Sequence, residues 1–401
     1  MIKRALLITT LSCILLSGRL ASAQSSFCAS HTDKLACLGV NLFGNPQLDP
    51  LGPVSSALGT QLGLIPLASP ASGIVYTTDP SLGIPQKSNE TFGPVLTERG
   101  ETIGRRKVFV AFTYQKFGFS SIDGVDLKRY PVVFNVCDAT TGQCGPIATT
   151  NRVDPKVNQF AFFGTYGLTD RIDVSVAVPL LDVKMGISAI SCTICQTPVF
   201  SDGKQVVFHP AFVAGEATGI GDIVLRAKGL VWKGERLRLA LGVDVRVPTG
   251  DAVNFLGTGS TGVKPFVAAS LRGRVAPHVN IGYQWNGDSD IAGPNPGTSG
   301  KLPDSLFYNG GFDVRATKRF TIAADFLGER IFDAKRVLPV VAAGQPSVAI
   351  VQGSFNTGKG ALGVKFNPVG NLLISANVLT RFDHNGLRSR PVPLVGMSYT
   401  F

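Results

Sequence analysis

Between Asp222 and Arg274 the chain alternates with period two over lengths that few architectures use. From Arg236 to Pro248, Leu237, Leu239, Leu241, Val243, Val245 and Val247 alternate with Arg236, Arg238, Ala240, Gly242, Asp244 and Arg246. Successive side chains of a strand point to opposite faces, so one face carries an aliphatic row and the other carries charges or very small groups. A half-buried soluble strand gives the same alternation, but a tilted strand needs about 10 residues to cross a hydrocarbon core, and that is the length seen here. Ile223, Leu225, Ala227, Gly229 and Val231 form a second row against Val224, Arg226, Lys228 and Leu230, with Lys233-Gly234-Glu235 as the tight link to the next strand. A Gly/Thr/Asn loop from Thr249 to Gly262 then leads into Val263 to Arg274, where Lys264, Ser270, Arg272 and Arg274 hold the polar parity. The order of strand, short turn, strand, longer loop, strand predicts an all-β fold: a transmembrane, antiparallel, up-and-down β-barrel.

The same signature recurs at Lys107 to Phe119, Asn158 to Tyr166, Ile172 to Val178, His278 to Asn286, Phe307 to Ala316, Phe320 to Ile331, Lys359 to Phe366, Asn371 to Thr380 and Val392 to Phe401. The count is about twelve strands, an even number as bacterial barrels have. Long loops at Ser120 to Pro155, Asp182 to Gly221 and Phe332 to Gly358 alternate with short turns such as Gly167 to Arg171, Thr317 to Arg319 and Asn367 to Gly370; Gly219-Ile220-Gly221 also reads as a turn. With long loops outside, both barrel ends lie in the periplasm, Trp285 sits near the outer rim, and Phe320 and Phe401 sit near the inner one as a second aromatic girdle. A soluble β-sandwich requires no such loop asymmetry.

Ala5 to Leu16 is an apolar run that follows Lys3 and Arg4 and precedes Ala21-Ser22-Ala23. This is the layout of a secretory signal peptide, so residues 1–23 are expected to be cleaved on export. Cys13 lacks a good lipobox before it. Cleavage lowers Lys+Arg from 38 to 35 and the net charge from +11 to +8. The cations are dispersed along alternating strands rather than run together, which excludes nucleic acid as a partner and points to lipopolysaccharide phosphates outside and to the lumen inside.

Six cysteines remain, in close pairs: Cys28 with Cys37, Cys137 with Cys144, and Cys192 with Cys195. An even count at short spacing in an exported chain suggests local disulfides, although six cysteines allow 15 connectivities. Cys192-Thr193-Ile194-Cys195 also has the form of a redox motif or half a metal site, but no βαβ pattern or second C-x-x-C supports either. Residues 24–103 are rich in Pro, Gly, Ser and Leu without sustained periodicity, yet Leu62 to Ser69 and Gly73 to Tyr76 are too apolar for a solvated tail. The expectation is a plug in the lumen or a periplasmic segment, the alternative being a disordered leader. The barrel then spans 104–401.

The four histidines, His31, His209, His278 and His384, show no metal spacing. A barrel phospholipase would need a serine partner that nothing supplies, and Gly219-Ile220-Gly221 is no dinucleotide fingerprint, so neither enzyme nor cofactor is expected. Candidates for the lumen face are Arg226, Arg238, Asp244, Arg246, Arg272, Arg274, Asp313, Arg315, Asp325 and Glu329. Arginines paired across strands would brace a narrow barrel; arginines facing water would make an anion-selecting eyelet.

Three passages resemble the outer-membrane proteins grouped as transporters of the phenol-degradation meta-pathway. They are Ser69-Pro70-Ala71-Ser72-Gly73, Phe92 to Arg99, and Glu101-Thr102-Ile103-Gly104-Arg105. Tyr166 to Arg171, Gly219 to Asp222 and Val247 to Asp251 are similar to that family's repeated signatures. Tyr399-Thr400-Phe401 resembles the terminal signal read by the barrel-assembly machinery. The resemblance implies a bacterial outer-membrane location among lipid and lipopolysaccharide, and passive movement of small hydrophobic or aromatic compounds past the plug. Val337 to Ala343 with Val348 to Val351 would offer such a solute an apolar patch at the mouth. The competing class is a barrel serving adhesion or envelope structure, with its lumen filled by side chains and no pocket.

Overall fold

In a computed structural model the described residues are 27–28, 30–43, 48–52, 54–69, 75–78, 85–87, 91–137, 142, 144–192, 200–201, 204–205 and 210–401. Twelve antiparallel strands close into a barrel. They are β1 (Val108–Ile122), β2 (Cys144–Gly167), β3 (Ile172–Cys192), β4 (Ala211–Ile220 continued by Ile223–Lys233), β5 (Leu237–Val247) and β6 (Gly262–Leu271). The remaining six are β7 (Val275–Asn286), β8 (Ser305–Arg315), β9 (Phe320–Ala342), β10 (Gln345–Phe366), β11 (Leu372–Arg381) and β12 (Val392–Thr400). Each pairs with its neighbour in sequence, and β12 pairs with β1 to close the sheet. Closure removes the sheet edges from the belt, which is what a lipid-embedded backbone requires.

The outward face is apolar around the circumference, with Val110, Phe162, Leu225, Leu241, Ile281, Phe312, Leu362 and Val395 all exposed. Such a continuous apolar surface is unsuited to water and suited to hydrocarbon, and it places the barrel in the outer membrane. On β3 the outward row Ile172, Val174, Val176, Val178 and Leu180 gives way to Asp182 and Lys184. Beyond that point the phase of the alternation reverses. Val183, Met185, Ile187 and Ala189 now point inward and are buried, while Lys184 is exposed.

This reversal corrects the three long loops expected from sequence. Asp182 to Gly221 is largely strand, with β3 and β4 paired from Leu180–Ile220 to Ala189–Ala211. Phe332 to Gly358 is the continuous hairpin of β9 and β10, in which Val337 and Val348 are buried and Val341 is exposed. Within Ser120 to Pro155, Tyr130–Cys137 pairs with Cys144–Asn151 of β2. Gly219 to Asp222 interrupts β4 without reversing it, because both halves of β4 pair with β3.

The chain ahead of β1 contains short helices at Leu38–Phe43 and Ser55–Leu62, which its lack of periodicity did not announce. Leu35, Leu51, Leu58 and Leu62 are buried in one apolar cluster with inward-facing wall residues such as Phe117, Ala161 and Val183. Burying each such side chain stabilises by roughly 1.5–3 kcal/mol relative to exposure. The loop after β5 holds this region: Asp251 pairs with Lys34 at 3.1 Å, and Asn254 accepts from the Leu35 amide at 3.1 Å. Disulfides join Cys28 to Cys37 and Cys137 to Cys144. Cys192 is disulfide-bonded, while Cys195, His209 and the expected signal peptide lie outside the described residues.

Candidate functional site

Residues 91–103 have no regular structure, so their backbone groups need other partners. The inward side chains provide them. The Phe92 amide donates to Thr321 at 3.1 Å, Leu96 to Asp325 at 3.2 Å, Glu98 to Asn280 at 2.7 Å, Gly100 to Ser270 at 2.9 Å and Ile103 to Asp173 at 2.9 Å. Lys365 returns the favour to the carbonyls, donating to Phe92 at 3.1 Å and Pro94 at 2.6 Å. The segment therefore crosses from β9 to β3 close to the short turns. Residues 63–69 run between it and the helix at the long-hairpin end.

Glu98 is the electrostatic centre of the crossing. Its carboxylate accepts from Arg226, from Ser69 and, at 3.3 Å, from Lys228. Burial would raise its pKa, but the Arg226 and Lys228 charges outweigh burial and hold it below the usual carboxylate range. Arg226 also meets Asp244 through two hydrogen bonds, of 2.5 and 2.8 Å, and Lys264 reaches the same carboxylate at 3.0 Å. Arg226, Asp244 and Lys264 occupy one cross-strand row of β4, β5 and β6, so register itself builds this ladder. The neighbouring row is Gly242, Phe266, Gly282. A side chain at either glycine would collide with Phe266, so the two glycines make room for the ring against the wall, with Arg226 stacked 4.9 Å from its centroid.

Between residues 62–69 and this wall lies a cavity of about 240 Å³. Leu62, Leu64, Ile65, Pro66 and Leu67 line one side, and Ala177, Pro179, Leu181, Val224, Phe266, Phe307 and Leu327 line the other. Glu98 and Leu96 border it, and so does Leu256 from the loop after β5. Asp222 anchors that loop by accepting from the Gly250 amide at 3.1 Å and the Thr258 amide at 2.8 Å. Two lining residues, Gln159 and Asn309, each hold a buried acceptor, Oε1 and Oδ1, that has no hydrogen-bond partner among the described residues. A smaller cavity of about 60 Å³ lies between Gln61 to Pro66 and the β1 side, against Phe117, Phe119 and Leu379.

Of the lumen candidates, Arg226, Arg238, Asp244, Arg246, Asp313 and Asp325 turn inward and are mostly shielded from solvent. Arg246 donates to Asn286 at 2.6 Å. Arg272 borders an inner cavity with His278 and Asp313, Glu329 borders another with Lys359, and Arg315 shares the parity of Asp313. Arg274 does not line the lumen. It is exposed in the turn between β6 and β7, where the strand has ended and parity no longer sets direction, and its Nε donates to the Arg315 carbonyl at 3.3 Å. Tyr399 and Phe401 pack with ring centroids 4.6 Å apart and planes tilted by 58° on the outside of the closing strand.

Sequence reasoning missed Glu98, His278 and Lys365 as members of the site. Lys365 carried a signal, since it occupies the polar parity of β10, and so did His278 on β7. His278 lies buried with Nε2 2.8 Å from Asp325 and Nδ1 3.8 Å from Asp313. Glu98 carried none, because its segment has no period.

The family model described as "Putative MetA-pathway of phenol degradation" matches residues 148–326. It is the family that the sequence resembles. No curated protein matches the chain. Among solved structures, an outer-membrane channel of Pseudomonas putida F1 is similar at 14% identity and TM-score 0.48, over 76% of this chain and 99% of that one. A Pseudomonas aeruginosa FadL homologue gives 11% identity and TM-score 0.35, over 82% and 96%. A TodX monoaromatic hydrocarbon channel variant gives 12% identity and TM-score 0.36, over 84% and 98%.

Proposed function

We propose that this protein is an outer-membrane channel through which small hydrophobic or aromatic compounds diffuse passively, and that residues 24–103 act as its plug. Residues 1–23 serve as the export signal in this reading. The observation that carries the proposal is the cavity between residues 62–69 and the wall. A cavity of roughly 150 Å³ lined by apolar side chains is large enough for benzene, and about 240 Å³ is available here with a mainly apolar lining. An aromatic solute would leave water against Leu64, Leu67 and Phe266, and a hydroxyl on it would donate to Gln159 or Asn309 once that side-chain amide turns its oxygen into the cavity. Leaving such acceptors unpaired costs about 1–3 kcal/mol, so a donor on the solute gains affinity. The phenol-degradation description of the matching family agrees with an aromatic solute.

The paired state of the arginines argues against the anion-selecting eyelet. Arg226 and Lys264 share Asp244, and Arg226 and Lys228 share Glu98, so each of these three cations is held by a carboxylate rather than facing water, with one positive charge in excess. A barrel built only for adhesion or envelope structure gives no reason for an apolar cavity beside a plug. The test is uptake of radiolabelled aromatic compounds and fatty acids by cells with and without the protein. Faster aromatic uptake with the protein supports the channel, and equal rates for every solute reject it.

A further inference from the structure

The geometry points to a lipopolysaccharide-docking face on the outside of β1 to β3, at the upper edge of the apolar belt. On these three strands the outward apolar rows end at Tyr114, Phe160 and Leu180; Lys116 follows at once on β1, and Lys156 and Lys184 lie one outward step beyond Asn158 and Asp182 on β2 and β3. Lys156 and Lys184 are direct cross-strand partners, and Gly118 of β1 is the partner of Lys156. The Arg390 amide donates to the Gly118 carbonyl at 2.8 Å, which extends the row toward β12. Strands lie about 4.8 Å apart, so the row from Gly118 to Lys184 spans roughly 10 Å and faces more than one anionic group.

Like charges directly opposite each other destabilise a sheet unless something compensates them. Lys156 reaches Asp154 at 2.7 Å, and Lys184 reaches Glu216 at 3.1 Å and Asp182 at 3.9 Å, so these three carboxylates offset part of the charge of the face. Lys116, Arg152 and Arg390 are exposed with no carboxylate at ion-pair distance among the described residues. The excess cation is one-sided: beyond the belt on the opposite wall, the outward face of β9 carries Arg330, which stacks on Phe332. Below the lysines, Phe112 packs on Phe160 and Phe162 with centroids 6.1 and 5.2 Å apart, giving acyl chains an aromatic surface.

The long hairpins put this edge in the outer leaflet, where the glycolipid bears phosphates on its sugars directly above its acyl chains. Phosphates over an apolar body is the complement of lysines over a phenylalanine cluster. The face is independent of whether the lumen conducts.

The test uses full-length folded protein in detergent, titrated with bisphosphorylated lipid A and read by native mass spectrometry. The variant is Lys116→Gln, Lys156→Gln, Lys184→Gln and Arg390→Gln combined; exposed side chains of this kind leave the fold intact, which a heat-shift gel checks. The expected result is an affinity loss on the order of 10-fold or more, with dephosphorylated lipid A binding wild type as weakly as bisphosphorylated lipid A binds the variant. Arg330→Gln should leave binding unchanged. Equal binding by the folded quadruple variant, or wild-type binding of phosphatidylglycerol as tight as that of lipid A, overturns the inference. Should the quadruple variant fail the heat-shift check, Lys156→Gln with Lys184→Gln is read against the same two outcomes.

Discussion

Replacing Glu98 by glutamine keeps the shape of the side chain and removes its charge. Arg226 keeps its two hydrogen bonds to Asp244. Lys228, only 2% exposed, loses the one carboxylate within ion-pair distance of it among the described residues and retains the Arg99 carbonyl at 3.4 Å. Breaking a buried pair by removing one partner costs about 3–5 kcal/mol, because the other charge stays buried without compensation. Since each 1.4 kcal/mol is tenfold, even the lower figure raises the open population of residues 91–103 by roughly 100-fold. Hydrogen–deuterium exchange reads this directly. The amides of Leu96 and Gly100, which donate to Asp325 and Ser270, should exchange about 100-fold faster in the variant, while the amides of β5 and β6 keep their protection. If exchange at Leu96 and Gly100 changes by less than about threefold, Glu98 is not what holds the crossing segment to the wall.

Glu98 and Asp49 should give the segment opposite pH responses. Glu98 has a lowered folded pKa, so its contribution is present above the unfolded value of about 4.3 and is lost as pH falls through the folded value. Asp49 is raised by burial to about 7, so the region around residues 48–62 is most stable below pH 3.8 and weakens as pH rises toward 7; exchange measured across this range should show that slope, and Asp49→Asn should abolish it. Deleting residues 45–93 should leave a folded, heat-shifting barrel with higher ionic conductance in planar bilayers, and unchanged conductance would place that segment outside the conducting path. Replacing Cys137 and Cys144 by alanine should loosen only the hairpin Tyr130–Asn151 in proteolysis, since the bond closes a short loop far from the belt; loss of the heat shift would contradict this.

How much of this was legible in the sequence depended on which solvent each residue faces. Inside the belt, lipid on one side and lumen on the other impose period two, so Leu237 to Val247 declares both its conformation and its faces. Above the belt the outward face meets water and the inward face meets the helices. The alternation Val183-Lys184-Met185-Gly186-Ile187 is therefore present with its phase inverted, which breaks the periodicity of the strand at Asp182. The ladder of Arg226, Asp244 and Lys264 followed from parity once register was known. Parity failed at Arg274, where the strand ends and no pleat constrains the side chain. The residues ahead of β1 gave least, because their partners are distant wall side chains, as with Glu98 and Asn280. Nothing local in that segment marks which of its residues will meet a cation.

The account stands or falls on the cavity beside residues 62–69 as the place a solute occupies. Ala177 is 4% exposed and lines that cavity, whereas its neighbour Val176 faces outward to lipid. Ala177→Trp fills the cavity, and Val176→Trp adds the same ring on the other side of the same strand. Overpacking costs about 1–3 kcal/mol, so both proteins should still fold and show the heat shift. Uptake of a radiolabelled aromatic compound is then measured in cells carrying equal amounts of each barrel. The account predicts that Val176→Trp matches wild type while Ala177→Trp falls to the rate of cells lacking the protein. Wild-type uptake through a folded Ala177→Trp barrel would contradict it.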